Sequence, residues 1–261
     1  MSSVNISSQY YPSQEIDSPL VIAHGLFGSK DNFHSIAAHL SQDRPVYTLD
    51  LRNHGESSHA HSMDFEDLAQ DIGSWMQRNG LESVHLLGHS LGGKVVMRLA
   101  CDWPTHIESL TVVDIAPVQY PRHHEEIMKG LSALYARGAV AKRSDARDLL
   151  KEYIDSDRVI AFLLKSLTPS PSGYSLTLNV PALANSQDEM ASNPLGPNDR
   201  FEGPTLFIKG SKSEYILDDY IPIIRHHFPT LRIDTLDAGH WVHAEAASGF
   251  LDCVESFLAV S

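Results

Sequence analysis

Cysteine is nearly absent from this sequence, with only Cys101 and Cys253 among 261 residues. Both sit inside apolar helical patterns, so they read as reduced core thiols and not as a disulfide framework. Positive charge is also scarce, with 20 basic residues against 33 acidic ones and a formal charge of −13. Such a balance repels phosphate backbones and anionic headgroups, which argues against a nucleic-acid or membrane-surface partner. No apolar run approaches the roughly 18–20 residues needed to cross a bilayer, so no membrane insertion is expected. The opening stretch, MSSVNISSQYYPSQEIDSP, has neither a basic segment nor an apolar one, and the cytoplasm is the expected address. Low-complexity tracts and internal repeats are lacking too. Oligomeric state is not legible in the pattern.

What is present is a 42% apolar content, ample for one large core. Short, nearly continuous apolar runs recur at Ser18–Gly25, Pro45–Leu51, Ser83–Ser90, Ile107–Pro117 and Gly203–Gly210, with a weaker one at Leu231–His240. Runs of this kind are strands buried on both faces. Helical spacing separates several of them: Asp64 to Asn79-Gly80, Leu91 to Trp103, Asp218 to Phe228 (Pro222 in its first turn) and Ala244 to Val260. Alternation of strand and helix predicts an α/β fold with a mostly parallel sheet and helices on both faces.

Residues 118–202 break that alternation, with helical patterns at Glu125–Tyr135, Lys142–Ile154 and Arg158–Leu167 and then a loop-rich tail. The expected organisation is a single domain. Its core comprises residues 1–117 and 203–261, and a helical lid of about 118–202 is inserted between two sheet strands.

Gly88-His89-Ser90-Leu91-Gly92 stands where the third apolar run becomes a helix. A strand-to-helix junction gives this common pattern its meaning. A serine in that tight turn is exposed as a nucleophile, and small flanking residues let strand and helix approach. His240, in Asp237-Ala238-Gly239-His240-Trp241 after the last strand pattern, has the place in chain order of a general base. The loop His24-Gly25-Leu26-Phe27-Gly28 follows the first core strand. The Leu26 and Leu91 amides are then the expected oxyanion donors, and the His24 ring a support for the loop.

Other polar clusters carry less. His123-His124-Glu125-Glu126 lacks the H-E-x-x-H spacing of a metal site, and no metal is expected. His59, His61, His226 and His227 read as solvated surface residues, and His243 as a local hydrogen-bonding group. Arg52 is a candidate contact for an anionic substrate, although a loop-shaping role is the plainer reading. Leu26, Phe27, Phe162, Leu163 and Tyr174 are candidates for an apolar acyl pocket, equally explained as packing.

The segments HGLFGS, DLRNHGES, GHSLGGK, VVDIAPV and AGHWVHAE, in that order, resemble the α/β-hydrolase superfamily. More narrowly they resemble the bacterial YbfF-type esterases and their eukaryotic α/β-hydrolase-domain relatives. The resemblance implies hydrolysis of a small-molecule ester or thioester by a serine triad, with no metal or organic cofactor. An acid is expected in the turn after the penultimate strand, yet that turn reads Gly210-Ser211-Lys212-Ser213. Two carboxylates compete for the role. Asp114 ends the strand after the serine's helix, where the resemblance also points, and Glu214 is displaced by one residue from the usual turn position. With Asp114 as the acid, Ser213 becomes a hydrogen-bonding support for His240. Carbon–carbon bond hydrolysis, elimination on the same triad and a catalytically silent receptor remain alternatives.

Overall fold

The computed structural model describes residues 4–15, 17–122 and 124–260. Strands β1 (Ser8–Tyr11), β2 (Leu20–Ala23), β3 (Val46–Leu49), β4 (Val84–His89), β5 (Ile107–Val113), β6 (Leu167–Ser170), β7 (Gly173–Leu176), β8 (Thr205–Gly210) and β9 (Leu231–Leu236) form two sheets. Seven of them make the central sheet, in the order β1-β3-β2-β4-β5-β8-β9. All pairings in it are parallel except β1 with β3. Each predicted core run contains one of these strands, and the predicted α/β fold class is the observed one.

Alternate side chains of the strands feed two cores. Val21, Leu86, Val112 and Phe207 pack on one face, and Leu20, Ile22, Leu87, Val113, Leu206 and Ile208 on the other. Burial on both faces is why these strands are continuously apolar and lack a period of two. The first face is covered by α2 (Phe65–Arg78) and α3 (Leu91–Asp102), the second by α1 (His34–Leu40) and the C-terminal α11 (Ala247–Leu258). Asp64 caps α2 by accepting the Asp67 amide at 2.7 Å.

Several elements differ from the sequence expectation. Strand β1 lies in the polar opening stretch. It is an antiparallel edge in which only Tyr11 is buried, so it needs no apolar run. The final helix is interrupted: α10 (Val242–Glu245) ends at Ala246, whose φ of −131° leaves the helical region, before α11 begins. Between β5 and β8 lie α4 (Glu125–Arg137), α5 (Arg143–Lys151), α6 (Asp157–Leu163), α7 (Val180–Asn185) and α8 (Gln187–Ala191). The tail of that segment, expected as loop, contains the β6–β7 hairpin and the two short helices α7 and α8. Pro169 and the serines hide the hairpin's strand pattern, which an isolated two-stranded pair tolerates. Helix α9 (Ile221–His227) carries Pro222 in its first turn, as predicted.

The carboxyl ends of β2, β4, β5, β8 and β9 lead into Leu26, Ser90, Asp114, Ser213 and His240, respectively. In a parallel sheet these ends share one edge, which gathers residues far apart in sequence.

Candidate active site

Ser90 sits between β4 and α3 with φ 53° and ψ −118°, a conformation disfavoured for any residue with a Cβ. The turn is forced by close approach. A Cβ on Gly88 would lie 2.3 Å from the Gly92 carbonyl oxygen, and one on Gly92 would lie 2.4 Å from that of Ala23. The Ser90 amide donates to the Val113 carbonyl at 3.0 Å, tying the turn to β5. Asp114 at the end of β5 shares the left-handed conformation, with φ 52°.

The structure brings three sequence-distant side chains into one hydrogen-bonded line. Ser90 Oγ lies 3.0 Å from His240 Nε2, and His240 Nδ1 lies 2.8 Å from Asp114 Oδ2. Asp114 is wholly buried while His240 is about a quarter exposed. The carboxylate is otherwise satisfied, since Oδ1 accepts the Gly210 amide at 2.9 Å and Oδ2 accepts the Ser213 hydroxyl. Ser213 therefore bonds to Asp114, and reaches His240 only through it. Glu214 is exposed at the cavity rim. With an acceptor at Nδ1, the neutral ring carries its proton there and leaves Nε2 free to accept the serine proton.

Leu26 and Leu91 line a small cavity together with Ser90, and neither amide donates in the hydrogen bonds among the described residues. Phe27 has φ 64°, and its amide donates to His54 Nε2 at 3.2 Å. His54 in turn bonds the Arg52 carbonyl through Nδ1. His24 repeats the device, with Nδ1 on the Gly25 carbonyl and Nε2 accepting the Leu51 amide at 3.1 Å. Two neutral rings thus brace the Leu26 loop against residues 51–54.

A cavity of about 560 Å³ opens on Ser90 and His240, walled by Phe27, Ile127, Val159, Phe162, Leu163 and Trp241. A smaller one of about 70 Å³ also reaches Ser90, lined by Leu91, Ile115, Met128 and Met190. Both volumes belong to a concave, largely apolar site suited to a small molecule.

A family model of the α/β hydrolase fold matches residues 18–247. The chain belongs to the α/β-hydrolase family. Esterase YbfF of Escherichia coli (strain K12) is 34% identical to it, the match covering 98% of each chain. An sn-1-specific diacylglycerol lipase, ABHD11, of Danio rerio is 35% identical over 98% of this chain and 83% of its own. Among solved structures, a marine microorganism esterase superposes with a TM-score of 0.92 at 34% identity, covering 98% of this chain and all of that one.

Two residues weighed as candidates for the site of this α/β hydrolase lie elsewhere. Arg52 is buried and lines neither cavity, because its guanidinium is taken up by Asp71 at 2.6 Å and Asp67 at 2.8 Å. It anchors its loop to α2 and is no substrate contact. Tyr174 also lines neither cavity and bridges to Val140 through backbone bonds. His227, expected on the surface, is buried with Nδ1 on the Asp199 carbonyl. His243 lines the large cavity and stacks on Phe33 at 4.4 Å, with Nδ1 unpartnered among the described residues, so packing holds it. His123 lies outside the described residues.

Sequence reading missed four neighbours of the site. His89 donates from Nε2 to the His240 carbonyl at 2.9 Å, joining the serine turn to the histidine loop. Tyr215 stacks on the His240 ring at 4.1 Å. Tyr120 donates its hydroxyl to the Tyr215 carbonyl. Lys94, one turn after Ser90, is buried with its ammonium on the Ala191 and Ser192 carbonyls, and desolvation lowers its pKa to about 7. Lys94 gave no distinct signal in the sequence, because the same helix also carries Arg98 and Asp102.

Buried histidines give the fold a pH dependence. Burial lowers His54 to about 3 and His243 to about 4, and holds His89 well below its ordinary 6.5. His24, His85 and His227 are lowered by the same cause. These groups stay neutral in the folded chain and take up protons near 6.5 once unfolded. Their contribution is complete above that pH and is lost as pH falls toward 4. For His243 alone, the loss by pH 4 is about 3 kcal/mol. Urea midpoints measured from pH 7 to pH 5 should fall steadily. A flat profile across that window would show these rings are solvated. Carboxylates such as Glu245, held low by the Gly239 amide, add to the loss only below their ordinary range near 4.5.

Proposed function

We propose that the protein is a serine-dependent hydrolase of carboxylic esters, acting through an acyl-enzyme intermediate with Ser90 as nucleophile. The observation that carries this reading is the unbroken line from Ser90 Oγ to His240 to Asp114, at 3.0 Å and 2.8 Å. The esterase and lipase names of the relatives support the ester bond as the one attacked.

In the first half-reaction Ser90 Oγ attacks the acyl carbonyl while its proton passes to His240 Nε2. The Leu26 and Leu91 amides hold the negative oxygen of the tetrahedral species, and Asp114 stabilises the imidazolium. The bond to the leaving oxygen then breaks, and His240 returns the proton to it. Water, deprotonated by His240, attacks the acyl-serine and releases the carboxylic acid with Ser90 restored. Atoms balance with water alone as co-reactant, and the step needs no cofactor. Thioesters fit the same chemistry.

Residues 118–202 act in this reading as a lid, since Ile127, Val159, Phe162 and Leu163 wall the cavity beside the triad. Among the described residues both cysteines are free and no helix is long and apolar enough to cross a membrane. We assign the enzyme to the cytoplasm on the cysteine usage.

The test is p-nitrophenyl acetate hydrolysis during titration with a fluorophosphonate. Activity should vanish in proportion to label, reaching zero at one label per chain on Ser90. Full activity in labelled protein would contradict the reading. An absence of ester turnover would turn attention to carbon–carbon cleavage or a silent receptor.

A further inference from the structure

We infer that the two cavities divide the substrate, the small one taking the acyl group and the large one the alcohol. The substrates are then short-chain acyl esters, acetyl to butyryl, of bulky apolar alcohols. This rests on the serine-hydrolase reading above and names the substrate class for that site.

The division follows from where the leaving-group proton must come from. With the carbonyl carbon on Ser90 Oγ and its oxygen at the Leu26 and Leu91 amides, two substituents remain. The leaving oxygen must lie within hydrogen-bond reach of His240 Nε2, which protonates it. His240 and Trp241 wall the large cavity only. The small cavity shares Leu26, Ser90, Tyr120, His124 and Tyr215 with it but is completed by Leu91, Ile115, Met128 and Met190, and neither His240 nor Trp241 lines it. The leaving group therefore points into the large space that His240 lines, and the acyl chain enters the small one.

Volume then sets chain length. An apolar cavity of about 150 Å³ accepts benzene, so the 70 Å³ here holds roughly half as many carbons. Its walls do not yield easily. Ile115, Met128, Met190 and Lys94 are all buried, and the Lys94 ammonium is bound to the Ala191 and Ser192 carbonyls. A longer acyl chain must displace those contacts or emerge past Pro121 and Arg122, which also line the cavity and are exposed. On the other side, 560 Å³ bounded by Phe27, Ile127, Phe162 and Trp241 rewards an extended apolar alcohol.

Two ester series test this, monitored by chromatography of the released alcohol. The first keeps 2-(2-naphthyl)ethanol and lengthens the acyl group from acetyl to octanoyl. The second keeps acetyl and enlarges the alcohol from ethanol through cyclohexylmethanol to 2-(2-naphthyl)ethanol, alcohols of similar acidity. The expected kcat/KM peaks between acetyl and butyryl, falls at least about tenfold by octanoyl, and rises about tenfold from the ethyl to the naphthylethyl acetate. Met128→Ala and Met190→Ala should each raise the octanoyl-to-butyryl kcat/KM ratio about tenfold, by opening the small cavity. A ratio reports specificity even where a variant folds poorly, and two variants guard against losing one. An octanoyl ester as good as the acetyl ester overturns the division, as does a ratio unmoved by both substitutions. Absence of Ser90-dependent turnover on every ester overturns the underlying reading as well, so the two failures are distinguishable.

Discussion

Ser90→Ala is expected to lower kcat for ester hydrolysis by about 10⁶-fold while leaving the fold intact. Oγ is the only atom lost, and the residue keeps the Cβ that already occupies the left-handed turn at φ 53°. The amide bond to Val113 and the close approach of Gly88 to Gly92 do not involve the hydroxyl. The oxyanion amides and both cavities also survive, so a residual rate about 10³–10⁴ above that in water is expected. Thermal unfolding should match the wild type, which separates loss of chemistry from loss of structure. Activity within tenfold of wild type would move the nucleophile elsewhere.

Asp114→Asn is expected to lower kcat by about 10⁴-fold, against a change of no more than a few-fold for Glu214→Gln. Asp114 is fully buried, and its Oδ2 accepts from both His240 Nδ1 and the Ser213 hydroxyl. An amide nitrogen facing Nδ1 is a donor where an acceptor is required, so the imidazole proton moves to Nε2. There it blocks transfer from Ser90, and no negative charge remains to stabilise the imidazolium. An amide oxygen facing Nδ1 would instead turn the nitrogen to the Gly210 amide, donor against donor. Glu214 is exposed and takes no part in that line. A severe Glu214→Gln defect beside a mild Asp114→Asn one would reverse the assignment.

Much of this architecture was legible because the deciding elements are buried on both sides. Strands β2, β4, β5 and β8 are continuously apolar since each faces a core on both faces, and that signal needs no tertiary knowledge. The edge strand β1 and the β6–β7 hairpin pack on one side or neither, so their polar composition hid them. Ser90 and His240 were legible from their places at strand ends. Asp114 was legible because a carboxylate ending a buried strand must find a partner. The bracing of Phe27 by His54 and the stacking of Tyr215 on His240 were not legible. Each joins loops from different strands and depends on how closely they approach. For Arg52 the plainer loop-shaping reading is the one its pairing with Asp67 and Asp71 of α2 supports, although those partners were not legible in the sequence.

The most direct test of the central claim is to trap the intermediate. Wild-type protein turning over p-nitrophenyl acetate is quenched in acid and mapped by peptide mass spectrometry. One acetyl group on the peptide carrying Ser90, absent from Ser90→Ala treated identically, is the expected result. Steady turnover with acetyl on another residue, or with none at any quench time, would contradict nucleophilic catalysis by Ser90.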